Sequence, residues 1–317
     1  MNKTKNLKSS ETRLKETWLS RLDDKCETNG FKNYLAGLTD GDGCFNIYTR
    51  KGEKNQITLT YKLSLTEANK QLLHIIKKNI GYGTVTKKAD KDGMIHYTIK
   101  NQKGNLHLIE LLCGRLRTSK KEDLELFKTA YMIWLSENFS QKEKIDKINE
   151  FKSNSKLKRC STIYSDLDKT KITTAWVVGF IEAEGSFYIV KKSATRYCHG
   201  FGVTQKLDKK VLEEILEHIG IKNVVRWNRK GFWQFDLYSK NDLKLIKKFF
   251  FKKLKGISSF YYRVWSRSFR DKQNYPKLKQ IQSLLRSYKR KSKSDEYERL
   301  MISIDKNLEP FEGIVHS

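Results

Sequence analysis

Residues 34–45 read Tyr34-Leu-Ala-Gly-Leu-Thr-Asp-Gly-Asp-Gly-Cys-Phe45, and residues 176–187 read Trp176-Val-Val-Gly-Phe-Ile-Glu-Ala-Glu-Gly-Ser-Phe187. Laid together, Gly37 meets Gly179, Asp40 meets Glu182, Asp42 meets Glu184, Gly43 meets Gly185 and Phe45 meets Phe187, at a constant offset of 142 positions (42 to 184). Each copy is an apolar stretch ending in acid-x-acid-Gly, and each opens a module of about the size of a small domain. Two such modules account for most of a 317-residue chain.

The chain as a whole is strongly basic. Lys and Arg number 64 against 36 Asp and Glu, a net charge of +28. With 38% hydrophobic and 12% aromatic residues it can build cores, which excludes a disordered polycation. A surface of this charge meets nucleic acid or an anionic membrane. No stretch approaches about twenty uncharged apolar residues, so a membrane-spanning role is not expected. The five cysteines (Cys26, Cys44, Cys113, Cys160, Cys198) form no C-x-x-C pair and the six histidines no H-x-x-x-H pair. Zinc and a disulfide framework are therefore not expected, and a reducing compartment is. Residues 1–31 mix basic residues with Glu11, Glu16, Asp23 and Asp24, which fits neither a transit nor a signal peptide.

Beyond each acidic stretch the pattern changes from helical to alternating. Phe45, Ile47 and Thr49 share one face, with Asn46, Tyr48 and Arg50 on the other; Phe187, Ile189 and Lys191 oppose Tyr188, Val190 and Lys192. Strict alternation predicts strands with one buried face. A second alternating run sets Leu59, Tyr61, Leu63 and Leu65 against Thr58, Thr60, Lys62 and Ser64, with Phe201, Val203 and Gln205 as its counterpart. Helices are expected at 72–80 and 211–219. Strands follow at 84–87, 95–100, 224–229 and 232–238, with turns at Lys91-Asp-Gly93 and Lys230-Gly231. Closing helices are expected at 106–112, 121–135, 243–254 and 259–267. The fold class is therefore α+β: two αββαββα modules, each with a four-stranded antiparallel sheet that keeps one polar, basic face. The boundaries read as a charged extension (1–31), a first module (32–151), a linker (152–171), a second module (172–288) and a tail (289–317). A polar sheet face can be simply solvated; at this net charge, two of them predict a nucleic-acid-reading surface.

The residues 35–43 and 177–185 resemble the two copies of the LAGLIDADG motif, and with the element order and repeat spacing the chain resembles a two-motif, single-chain LAGLIDADG homing endonuclease of the organellar group I intron type. The resemblance implies motif helices packed side by side on a pseudo-two-fold axis, with Gly37, Gly179, Ala36, Gly41 and Ala183 in the seam and the two sheets forming a DNA-binding saddle. It implies that Asp42 and Glu184 reach the DNA and hold divalent metal, while Asp40 and Glu182 hold local structure. Two carboxylates beside a polyanion repel it unless a cation intervenes, and Mg²⁺ accepts one or two carboxylates plus phosphate and water oxygens. Mn²⁺ or Ca²⁺ would substitute for binding.

By the same resemblance Gln205 positions water, with Glu67 as its first-module match or else an ordinary surface residue. Lys103 and Lys240, each starting a Lys-x-x-Leu, are the candidate basic residues at the scissile phosphates, with Lys100 as rival to Lys103. Asn46, Tyr48, Arg50, Lys62, Tyr188 and Lys192 are expected on the DNA side. The implied function is site-specific double-strand cleavage of a long asymmetric site by a monomer, leaving short 3′ overhangs. The alternatives are an intron RNA maturase, a bifunctional protein, or a catalytically silent DNA-binding module; intact acids in both motifs argue against the last. Two prolines and a preference for Lys over Arg fit an A+T-rich organellar genome, mitochondrial before chloroplast.

Overall fold

The structure, a computed structural model, describes residues 27–53, 55–87, 93–159, 171–193 and 196–290. Helix α1 (Glu27–Asp42) runs into strand β1 (Gly43–Arg50), which turns back as β2 (Gln56–Thr66). A 3-10 turn, helix α2 (Lys70–Ile80), strands β3 (Thr84–Lys87) and β4 (Met94–Ile99), and helices α3 (Gln102–Leu112), α4 (Lys120–Leu135) and α5 (Gln141–Arg159) complete the first module. The second repeats the order: α6 (Thr174–Glu184), β5 (Gly185–Ser193), β6 (Arg196–Gln205), α7 (Lys209–Ile219), β7 (Arg226–Asn228), β8 (Phe232–Leu237), α8 (Lys240–Phe250), α9 (Ile257–Arg267) and α10 (Tyr275–Arg290).

Both sheets are antiparallel, in the order β1-β2-β4-β3 and β5-β6-β8-β7. Their inner faces carry the alternating apolar residues: Leu59, Tyr61, Leu63, Tyr97 and Ile99 in one, Phe187, Ile189, Phe201, Phe235 and Leu237 in the other, all buried. Phe45 and Ile47 are only partly buried, packed against that core where β1 is an edge strand. Phe45 meets Phe127 of α4 with ring centroids 5.4 Å apart. Helices α2 and α7 each stop at a glycine in the left-handed region, Gly81 (φ 82°) and Gly220 (φ 81°), where a side chain would be strained.

Helix α5 carries regular structure to Arg159, eight residues into the stretch expected as linker, and α10 reaches Arg290. Neither was expected as a separate helix, because α5 is polar almost all round while α10 lies where the sequence turns Lys-rich. Both are held by tertiary contacts: Ile145 and Ile148 of α5 and Leu278 and Leu285 of α10 are buried. No helix among the described residues is long and apolar enough to cross a membrane. The turn at Lys91, together with Cys26, Cys160 and most of the N-terminal extension, linker and tail, lies outside the described residues.

Candidate functional site

The two modules meet along α1 and α6. The shared face sets Tyr34, Gly37 and Leu38 of α1 against Trp176, Gly179 and Phe180 of α6, small or apolar groups that are buried where they meet. At the acidic end of the seam Gly41 sits against Ala183, leaving no room for a side chain. The helices therefore stay in close contact up to the residues that end them, Asp42 and Glu184.

The first acid of each pair is buried and hydrogen-bonded to a later loop of its own module. Asp40 accepts from Arg117 N (2.8 Å), Thr118 N (3.1 Å), the Thr118 hydroxyl (2.5 Å) and the Trp176 indole of the other module (2.9 Å). Burial pushes its carboxyl up to about 6 against the pull of those donors. Glu182 accepts from the backbone N–H groups of Lys255 and Gly256, and burial raises it to about 7. These acids anchor the loops that enter α4 and α9. The loops then reach across to the opposite module: Ser119 N donates to Asp208 Oδ1 (3.0 Å), and Ile257 N to Asn69 Oδ1 (2.8 Å). Arg117 pairs with Glu214 at 2.9 Å, adding an intermodule ion pair. Asp208 and Asn69 stand at matching places, just ahead of α7 and α2, so the interlock is reciprocal.

The second acid of each pair is different. Asp42 and Glu184 are partly exposed at the helix ends. Desolvation raises Asp42 to about 6, and desolvation together with the nearby Asp42 charge raises Glu184 to about 7. The cation that opposes both is Lys120. Its Nζ donates to the carbonyl oxygens of Thr39 (3.1 Å) and Gly41 (2.5 Å), so it caps the C-terminal end of α1. Burial pulls Lys120 below the ordinary lysine value, while Asp40, Asp42 and Glu184 pull it back up.

Among the described residues the second module has no equivalent lysine. Counted from the N–H pairs that hold the buried acids, Arg117-Thr118 and Lys255-Gly256, Lys120 corresponds to Ser258. Ser258 donates from its hydroxyl to the Glu182 carbonyl oxygen at 3.2 Å. Among the described residues, the two carboxylates thus share Lys120.

Around this centre, Asn46, Tyr48, Arg50 and Lys192 are exposed on the outer sheet faces, with Lys62 and Tyr188 half-buried beside them. Phe45 and Arg50 lie on opposite faces of β1. Gln205 ends β6 with its side-chain oxygen accepting from Lys206 N. Its supposed partner needs correction. Gly43 pairs with Leu63 and Gly185 with Val203, so the first-module position matching Gln205 is the buried Leu65, whereas Glu67 is bound to Lys87 at 2.8 Å. Lys103 and Lys240 are exposed in the first turns of α3 and α8, one position out of step when counted from the N-caps Asn101 and Ser239. Lys120 was not singled out in the sequence, because in a chain with 64 basic residues nothing local marks it.

The family profile described as LAGLIDADG endonuclease matches residues 35–131 and 177–266. A Schizosaccharomyces pombe protein named "Probable intron-encoded endonuclease Cox1-I1b" is 33% identical over 290 residues, covering 88% of this chain and 74% of that protein. A Dictyostelium citrinum protein named "Probable intron-encoded endonuclease aI3" is 28% identical, covering 71% and 89% respectively. Among solved structures, the LAGLIDADG homing endonuclease I-GzeII in complex with its DNA target superposes with a TM-score of 0.67 at 22% identity, over 79% of this chain and 96% of that one. I-SmaMI bound to cleaved DNA gives 0.66 at 20% identity, over 81% and 94%. These two similarities establish a common fold.

Proposed function

The chain belongs to the LAGLIDADG endonuclease family, and we propose that it is a monomeric, site-specific homing endonuclease of a mitochondrial intron that cuts both strands of a long asymmetric DNA site and leaves short 3′ overhangs. The observation that carries this reading is the pairing of Asp42 and Glu184 at the acidic end of one tight seam, between two sheets with basic outer faces. One acid per module suits one scissile bond per strand. The modules differ at most outer-face positions, which suits an asymmetric site read without a second copy.

The donor set fits a hard divalent ion such as Mg²⁺: two oxygen-only side chains at a half-desolvated centre, raised by lack of solvent and, at Glu184, by the Asp42 charge. Asp42 and Glu184 would hold it, and when bound it would supply activation of water and neutralisation of charge on the leaving oxygen. The protein's own part is positional. The seam fixes the separation of the carboxylates, the buried Asp40 and Glu182 keep the α4 and α9 loops in place beneath them, and Lys120 brings a positive charge to the centre. The outer faces bind phosphates and base edges, so affinity falls steeply with salt.

The test begins with selection of a cleaved site from a randomised duplex library in Mg²⁺. On that site Asp42→Asn and Glu184→Gln should each keep binding, or tighten it, because a negative charge beside phosphate is lost. Cleavage should fall by orders of magnitude, leaving a nickase or no activity. Double-strand cleavage surviving in the double variant would overturn the assignment.

A further inference from the structure

The outer face of the second sheet carries an acid where the surroundings favour cations. Asp236 is exposed on β8 between the buried Phe235 and Leu237, which places it on the same face as Tyr188 of β5. Strand β6 makes room for both side chains with glycines. The Tyr188 ring lies over Gly200, and a Cβ on Gly202 would come within 2.5 Å of Asp236 Oδ1.

The hydrogen bonds around Asp236 have a direction that can be worked out from one end. Lys230 N is a backbone N–H and can only donate, and it does so to Asn228 Oδ1 at 2.9 Å. The Asn228 amide nitrogen must then be the group that donates to Gln234 Oε1 at 2.9 Å. That leaves the Gln234 nitrogen to donate to Asp236 Oδ2 at 3.2 Å. From the other side the Tyr188 hydroxyl donates to Asp236 Oδ1 at 2.5 Å, its oxygen 3.1 Å from that of Tyr238. Lys192 Nζ lies 4.6 Å from the Tyr238 ring centre, so positive charge remains close by.

Both branches of these contacts end on Asp236, one through the Gln234 amide and one through the Tyr188 hydroxyl. One donor holds each carboxylate oxygen in place, and each oxygen keeps a further lone-pair site. The group is fixed in orientation, exposed, and able only to accept.

Resting on the DNA-cleaving reading above, we propose that Asp236 is a specificity-determining residue that selects cytosine at one position of the half-site facing the second sheet, with Tyr188 and Gln234 as its positioning residues. Cytosine is the base whose major-groove edge offers an amino donor without a neighbouring acceptor. Guanine presents two acceptors, thymine an acceptor and a methyl, and adenine an acceptor beside its amino group. Each of these sets a lone pair or an apolar group against a fixed carboxylate, so the same geometry that accepts one base rejects the other three.

The experiment is binding-site selection from a randomised duplex library, in Ca²⁺ to suppress cutting, for the wild type, Asp236→Asn and Tyr188→Phe. The wild type should select a site with cytosine at one position on the second-module side. Asp236→Asn, isosteric but able to donate as well as accept, should lose that cytosine by roughly tenfold and gain adenine there. Tyr188→Phe should weaken the cytosine preference at the same position and leave the others unchanged. Loss of affinity spread evenly over all sequences would mean a scaffolding role and overturn the inference. A site selected identically by all three proteins would overturn it alone, whereas no selected sequence in the wild type would overturn the endonuclease reading itself.

Discussion

Gly37 and Gly179 each fill the only space the other helix leaves: a Cβ on Gly37 would overlap the Trp176 carbonyl oxygen and lie 2.9 Å from Phe180 N, and one on Gly179 would overlap the Tyr34 carbonyl oxygen and lie 2.9 Å from Leu38 N. The obstacles are backbone atoms, which cannot rotate away. Gly37→Ala or Gly179→Ala should therefore separate the helices and cost roughly 2–3 kcal/mol in urea unfolding. Since the seam sets the spacing of Asp42 and Glu184, cleavage should drop more than DNA affinity. Unchanged stability in both variants would refute the packing argument.

The two buried acids should respond unequally to loss of charge. Asp40 uses both oxygens, so Asp40→Asn turns an amide NH₂ toward N–H or O–H donors and orphans at least one. Its cost should be roughly 2–4 kcal/mol. Glu182 receives both backbone N–H groups on Oε1, an oxygen that Gln retains, and Glu182→Gln should cost clearly less. Denaturation midpoints compare the two directly; equal losses would count against this difference.

Because Lys120 has only Ser258 as its counterpart, the two strands should not be cut alike. With each strand end-labelled, the wild type should show a nicked intermediate of one polarity. Lys120→Met should lower cleavage of the strand it serves by roughly tenfold or more, with a smaller effect on the other. Equal rates in the wild type, unaffected by the substitution, would exclude a role for the asymmetry.

His199 should make the second module sensitive to acid. It is buried, hydrogen-bonded to Ser268 Oγ at 2.7 Å and stacked on Phe269, and burial, then Lys272 and Lys247, hold it down to about 4. The unfolded chain takes up the proton near 6.5, so the contribution of the neutral ring is complete above that pH and is lost as pH falls toward 4. His199→Phe should be less stable than the wild type at pH 7.5, with the gap narrowing at pH 5 by at most roughly 2 kcal/mol. A gap that widens in acid would reverse the sign of the argument.

The repeat, the strand alternation and the inner-face residues were legible because they are local. A period of two places Leu59, Tyr61 and Leu63 on one side whatever the rest of the chain does, and a glycine at 81 or 220 ends a helix by its own backbone freedom. The paired acids were legible because they occur twice in equivalent settings. Matching Gln205 to Glu67 failed because register is a property of two strands. Spacing along one strand could not tell a buried Leu65 from a polar residue two positions on.

By itself, then, the sequence determined two α+β modules and the matching acids that end their first helices, since these follow from short-range periodicity and from repetition, while the shared helical seam was what the family resemblance implied. Only the tertiary structure decided which of the many lysines joins those acids and which polar side chains on the second sheet lock one another in place. Lys120 arrives there because its loop is anchored on Asp40, 77 positions earlier as counted to Arg117, and Asp236 is oriented by Tyr188 of β5 and by Gln234, which Asn228 of β7 holds in turn. Such contacts depend on how separate segments pack, and a residue's neighbours along the chain carry no record of them.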